Sequence, residues 1–155
     1  MPLSQNEADR LLQMSKEFAD SDPLEFSLAQ PMNYQRELIS VDRREKFILD
    51  VERGNRKRTR LKYQTRGREV IILARLELNG PDHINPPNAP YRPGERLPCP
   101  HIHLYVEGFE DRVAYDLSDV VNLNIRNASD GMNTFEDFLT FCGIQNWPNI
   151  QLLGV

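Results

Sequence analysis

The sequence predicts an α+β fold: a single domain over residues 1–155 in which an antiparallel β-sheet of about five to six strands carries an N-terminal and a C-terminal helix on one face. Three observations lead there. Segments with helical spacing lie near both ends, the apolar residues between them recur with period two, and turn-forming residues separate the period-two runs. With 155 residues, 39% of them apolar and 27% charged, the chain is long enough to bury a core without disulfide staples.

Ser4-Gln5-Asn6-Glu7 reads as a capping box, and Ala8, Leu11, Leu12, Ser15, Phe18 and Ala19 continue on one helical stripe until Asp20-Ser21-Asp22-Pro23 stops it. The period then changes. Leu24, Phe26 and Leu28 alternate with polar residues, as do Phe47, Leu49 and Val51, and Thr59, Leu61 and Tyr63. Val70 to Leu78 is nearly continuously apolar, the pattern of a central strand. Turn chemistry at Arg53-Gly54-Asn55 and Arg66-Gly67-Arg68 makes strands over 45–52, 57–65 and 69–78 a meander. Ile102, Leu104 and Val106 alternate again, and Val113, Tyr115 and Leu117 follow a turn at Gly108–Asp111. Seven of the eleven prolines lie between Gly80 and Pro100, which predicts a long, stiff, irregular loop. A second capping box, Asn133-Thr134-Phe135-Glu136, opens a short helix with Phe135, Phe138, Leu139 and Cys142 on one face and Gly143 at its end.

Composition narrows the function classes. No apolar run is long enough to span a membrane as a helix, and Met1 to Glu7 lacks the features of a signal peptide, so a cytoplasmic location is expected. Cys99 and Cys142 form no CxxC pattern and are expected to be free thiols. The net charge of −4 conceals a segregation: residues 53–68 hold eight basic residues and no acid. Arg56, Arg58, Arg60 and Lys62 obey period two and would form a row of like charge on one strand face. Such a row repels itself and suits RNA or another polyanion, or an acidic protein partner; as an edge strand it would also block aggregation.

All three histidines fall within 21 residues. In a strand over 101–107, His101, His103, Tyr105 and Glu107 would share one face, with Ile102, Leu104 and Val106 on the other. His83 and Cys99 in the proline-rich loop could fold back to the same place, and Arg75 and Glu77 form the minority polar face of the central strand. Two chemistries compete. Without a cofactor, His101 and His103 would act as acid and base on a phosphodiester, with His83, Tyr105, Glu107 and Arg75 contributing. Alternatively, His83, Cys99, His101 and His103, or Glu107, would ligate a divalent metal such as zinc.

His101-x-His103-x-x-x-Glu107 resembles the first motif of the cupin family, a resemblance that implies metal ligation by those three residues. Ala114 replaces that family's following glycine, and no histidine lies downstream to supply a second motif. A longer resemblance covers roughly Arg75 to Gln151. Arg75-Leu76-Glu77-Leu78-Asn79-Gly80-Pro81-Asp82-His83-Ile84-Asn85-Pro86, His101-Ile102-His103-Leu104-Tyr105-Val106-Glu107-Gly108, Val113-Ala114-Tyr115 and the Thr134–Phe138 segment are similar to an uncharacterised bacterial and phage family. Glu77 stands where that family more often has aspartate. The resemblance implies a small intracellular protein of the kind carried by prophages and other mobile elements, among which toxins and antitoxins are common.

The leading expectation from the sequence is therefore a nucleic-acid-directed, ribonuclease-like or toxin-like protein working without metal. A metal-binding protein built on the histidine cluster and a non-enzymatic antitoxin or inhibitor are the alternatives.

Overall fold

The period-two runs fold as a meander. A computed structural model describes residues 2–57 and 59–154; Arg58, one of the four residues of the expected basic row, lies outside the described residues. The elements are α1 (Gln5–Gln13), β1 (Lys16–Phe18), β2 (Leu24–Ser27), β3 (Met32–Ser40), β4 (Lys46–Arg53), β5 (Leu61–Gly67), β6 (Ile71–Leu78), β7 (His83–Ile84), β8 (Arg96–Leu97), β9 (His101–Leu104), β10 (Ala114–Asp116), α2 (Gly131–Phe141) and β11 (Ile150–Leu153). A seven-stranded sheet runs β1-β3-β4-β5-β6-β9-β10, and all of its described pairings are antiparallel. Two further pairs stand apart, β2 with β11 in parallel and β7 with β8 antiparallel.

The sheet is wider than the five to six strands expected. Strand β3 escaped notice because its sequence, Met-Asn-Tyr-Gln-Arg-Glu-Leu-Ile-Ser, is polar over much of its length. Its neighbour β1 pairs only with Leu38, Ile39 and Ser40, so the rest of β3 is a sheet edge and tolerates polar side chains.

Alternation fixes the two faces. Leu49, Val51, Leu61, Tyr63, Leu76, Leu78 and Ile102 are buried together with Leu11 of α1 and Phe135 and Phe138 of α2, so both helices cover the same face. Tyr63 is the hub: its ring lies 5.3 Å from that of Phe135 and its hydroxyl donates to Gly131 O at 2.9 Å. A bulge between Thr65 and Arg66 shifts the phase of β6 at its start.

Both helix boundaries differ from the sequence expectation. Helix α1 stops at Gln13, and Phe18, instead of continuing its stripe, lies in edge strand β1 (Lys16–Phe18). The side chain of Lys16, fully buried, donates to Leu12 O and Met14 O at 2.9 Å and to Cys142 O at 2.7 Å. It therefore satisfies terminal carbonyls of both helices at once, and burial pulls its pKa down to about 8. Helix α2 begins earlier than its expected capping box: Asp130 is the N-cap and accepts from Asn133 N, while Glu136 pairs with Arg126 at 2.9 Å.

Candidate metal centre

The face of the sheet away from the helices is polar, and strand register builds the site on it. Glu77 of β6 stands opposite Lys62 of β5 on one side and His101 of β9 on the other; Arg75 stands opposite Gln64 and His103. Residues directly opposite in an antiparallel pair share a face, so Arg75, Glu77, His101 and His103 meet. The 79–100 segment, inserted between neighbouring strands β6 and β9, carries His83 and the β7–β8 pair. It is sealed against β10 by Asn85, which donates to Ala114 O at 3.0 Å and accepts from Ala114 N at 2.8 Å. The resulting histidines are not on an open strand face: His101 is 0% and His103 2% exposed.

Each buried imidazole has its orientation set by a backbone carbonyl. His103 Nδ1 lies 2.9 Å from Asp111 O, and His101 Nδ1 lies 3.3 Å from Pro98 O and 3.7 Å from Cys99 Sγ. A carbonyl only accepts, so Nδ1 carries the hydrogen in both rings and Nε2 is left to face the site. Both Nε2 atoms turn to Glu77: His101 Nε2 is 3.6 Å from Oε1 and His103 Nε2 3.5 Å from Oε2. These separations are long for an N–H···O bond, which favours about 2.9 Å, and His101 Nε2 is buried with no hydrogen-bond partner. Two donor atoms on one metal with bonds of about 2.0–2.1 Å at the tetrahedral angle stand about 3.4 Å apart, close to what is seen. One donor atom from each of Glu77, His101 and His103 lies within 4.8 Å of the other two.

Arg75 fixes the carboxylate, donating from Nε to Glu77 Oε2 at 2.8 Å and from Nη1 to Asp111 Oδ2 at 2.7 Å. The electrostatics divide the two histidines. Burial and then the Arg75 cation push His103 down to about 4, so it is a neutral ligand at ordinary pH. Burial pulls His101 down as well, but Cys99 and Glu77 outweigh it and raise its pKa to about 10. Burial would raise Glu77, yet His101, His103 and Arg75 hold it at about 2. The pocket thus holds a fixed negative charge and favours one positive charge at the His101 Nε2 position, whether a proton or a metal ion.

The other sequence candidates are distributed as follows. His83 joins the cluster from above, its ring 4.6 Å from that of His103 and 6.2 Å from that of His101. Its Nε2–H donates to Arg112 O at 2.8 Å, and it offers no atom to the three-residue donor set. Cys99 touches the far nitrogen of His101 rather than the donor side. Tyr105 and Glu107 do not share the histidine face. Strand β9 ends at Leu104, and Tyr105 turns into the core, where its hydroxyl donates to Leu3 O and accepts from Leu3 N. Glu107 accepts from Gln5 N at 2.8 Å and so caps α1. The ligand set implied by the cupin resemblance is therefore not assembled, and the carboxylate beside the histidines comes from Glu77. A meander sheet is also unlike the paired Greek keys of that fold. Of the expected basic row, Lys62 lies in β5, whereas Arg56 and Arg60 precede its start at Leu61 and belong to a loop.

A family model described as a family of unknown function, DUF6978, matches residues 3–144. The chain belongs to this family. No curated protein and no solved structure is significantly similar to it. Membership in DUF6978 agrees with the resemblance to an uncharacterised family seen in the sequence and assigns no activity, so a functional reading rests on the site. Among the described residues, no helix is long and apolar enough to cross a membrane.

Proposed function

We propose that Glu77, His101 and His103 bind one divalent transition-metal ion, of the zinc class, and leave coordination positions for water or substrate. The observation that carries this reading is the orphaned, buried Nε2 of His101, held 3.6 Å from one oxygen of the Glu77 carboxylate while His103 Nε2 stands 3.5 Å from the other. An unprotonated Nε2 would aim its lone pair at the Glu77 carboxylate, so a positive charge belongs between them; a metal ion fills that place at the observed separations, and a proton is what it displaces. Two imidazole nitrogens and a carboxylate match catalytic zinc sites, which keep a fourth position open, and also the facial triad of ferrous enzymes. The backbone carbonyls on both Nδ1 atoms and Arg75 on Glu77 are the outer partners that such ligands need. When bound, the metal would supply Lewis acidity and an activated water.

The metal-free acid–base reading is weaker. It requires both imidazoles to reach a phosphodiester, and both lie beneath the surface with their Nε2 atoms turned to Glu77.

Calorimetric titration of EDTA-treated protein with zinc tests the proposal. One equivalent should bind. Between pH 4 and 10, the interval bounded by the two histidines, Glu77 and His103 are already deprotonated, and the metal displaces only the His101 proton. Affinity should therefore rise about tenfold per pH unit, with about one proton released per zinc. Absence of saturable uptake would remove the reading.

A further inference from the structure

Glu77 also belongs to a second surface. Beside the buried histidines it lines an open groove of about 650 Å³ with Glu52, Arg56, Lys57, Arg60 and Lys62. We propose that this groove binds the phosphoryl group of a phosphate ester and presents it at the Glu77 edge of the metal centre. Adjacency to a metal rests on the reading above; the affinity of the groove for phosphate does not.

Unbalanced charge is the first support. Three other cations of the basic segment are paired with carboxylates: Arg66 with Asp50 at 2.8 Å, Arg68 with Glu7 and Glu45 at 3.3 and 3.4 Å, and Lys62 with Glu52 at 3.4 Å. Arg56, Lys57 and Arg60 have no carboxylate partner among the described residues, although the chain carries 23 acids against 19 bases. Three unpaired cations in one concavity repel each other and raise the local concentration of anions.

Placement is the second. Asn79, with a positive φ of 57°, donates from Nδ2 to Thr59 O at 2.9 Å and ties the basic loop to the end of β6. Gly80 has no side chain to occupy the space taken by Arg60: Arg60 Nε lies 3.2 Å, and Cys99 Sγ 3.8 Å, from where a Cβ would stand. Arg60 is thus set against the segment that leads through Cys99 to His101. Accessibility is the third. The Glu77 side chain is 18% exposed while both histidines are closed off, so the Glu77 edge is the open side of the cluster. Among the described residues, the lining contains no aromatic side chain. Base stacking, the usual grip on single strands, has no platform there, and the phosphate is the recognised group.

The test compares the native chain with an Arg56→Ala, Lys57→Ala, Arg60→Ala triple variant, all three residues being exposed. The probes are AMP and a fluorescein-labelled ten-nucleotide RNA, with zinc titration and circular dichroism on both proteins. The triple variant should bind the phosphate probes at least about tenfold more weakly, with a reduced salt dependence for the RNA, and with unchanged zinc uptake and spectrum. RNA preferred over AMP would assign the phosphate to a nucleic-acid backbone, and comparable binding to a small phosphorylated molecule. Equal binding by variant and native protein, or no binding of either probe by native protein, would overturn the groove. Loss of phosphate binding in the triple variant together with no zinc uptake by native protein would keep the groove and reject the metal.

Discussion

His103→Ala and Glu77→Gln each lower zinc affinity by at least about a hundredfold. Loss of an outer hydrogen-bond partner alone costs 10- to about 100-fold, whereas His103→Ala removes a donor atom itself and Glu77→Gln removes the negative charge of a ligand. His103 is the cleaner of the two, because its depressed pKa makes it a ready-made neutral ligand. Glu77→Gln also releases Arg75 from one of its two carboxylates, although Asp111 still holds it. Two controls separate this centre from other ligand sets. Glu107→Gln should leave zinc affinity unchanged, because Glu107 caps α1. His83→Ala should change it by less than about tenfold, because His83 has already committed Nε2–H to Arg112 O and acts as an outer neighbour. Isothermal titration of the four variants measures all of this. A Glu107→Gln loss equal to that of Glu77→Gln would contradict the geometry.

Without metal, the His101 contribution to stability falls as pH rises from 6.5 to 10, and zinc abolishes that fall. His101 titrates near its ordinary 6.5 in the unfolded chain and at about 10 in the fold. Between those values the folded state holds a proton that the unfolded state has lost, so each step up in pH favours unfolding. The contribution is complete below 6.5 and gone above 10. Glu77 acts at the acid end: its folded value of about 2 lies below the ordinary 4.5, so its contribution is present above 4.5 and lost as pH falls toward 2. His103, at about 4 in the fold against its ordinary 6.5, opposes folding increasingly as pH falls below 6.5, so these three groups place the optimum of metal-free protein near pH 6.5. Saturating zinc replaces the His101 proton with a cation that does not titrate, and zinc binding itself strengthens with pH. Urea midpoints measured with EDTA and with zinc across pH 5–10 read out both slopes. A parallel fall in the two series would show that no metal substitutes for the proton.

Much of this was legible in the sequence. The period-two runs gave the central strands, Gly143 gave the end of α2, and the proline-rich segment gave the cover over the histidines. The two polar residues interrupting an apolar strand, Arg75 and Glu77, were visible as its minority face. Their role was not, because cross-strand register places Glu77 opposite His101, and register depends on turns that period alone does not locate. Tyr105 and Glu107 misled for a related reason. Alternation extends a strand on paper until something stops it, whereas β9 stops at Leu104 and the next residues anchor the N-terminal segment. The basic row is broken likewise: charges two apart suggested one strand, yet only Lys62 lies in β5, and Arg56 and Arg60 sit in a loop whose cations converge on a concavity. The early end of α1 depended on Lys16, a residue whose carbonyl partners include one 126 positions away.

X-ray absorption on zinc-loaded, EDTA-stripped and reloaded protein tests the metal centre most directly. The account predicts a first shell of nitrogen and oxygen at about 2.0–2.1 Å with the outer scattering of two imidazoles, one zinc per chain, and loss of one imidazole contribution in His103→Ala. A sulfur contribution from Cys99, a shell of oxygen alone, or an unchanged spectrum in His103→Ala would contradict it.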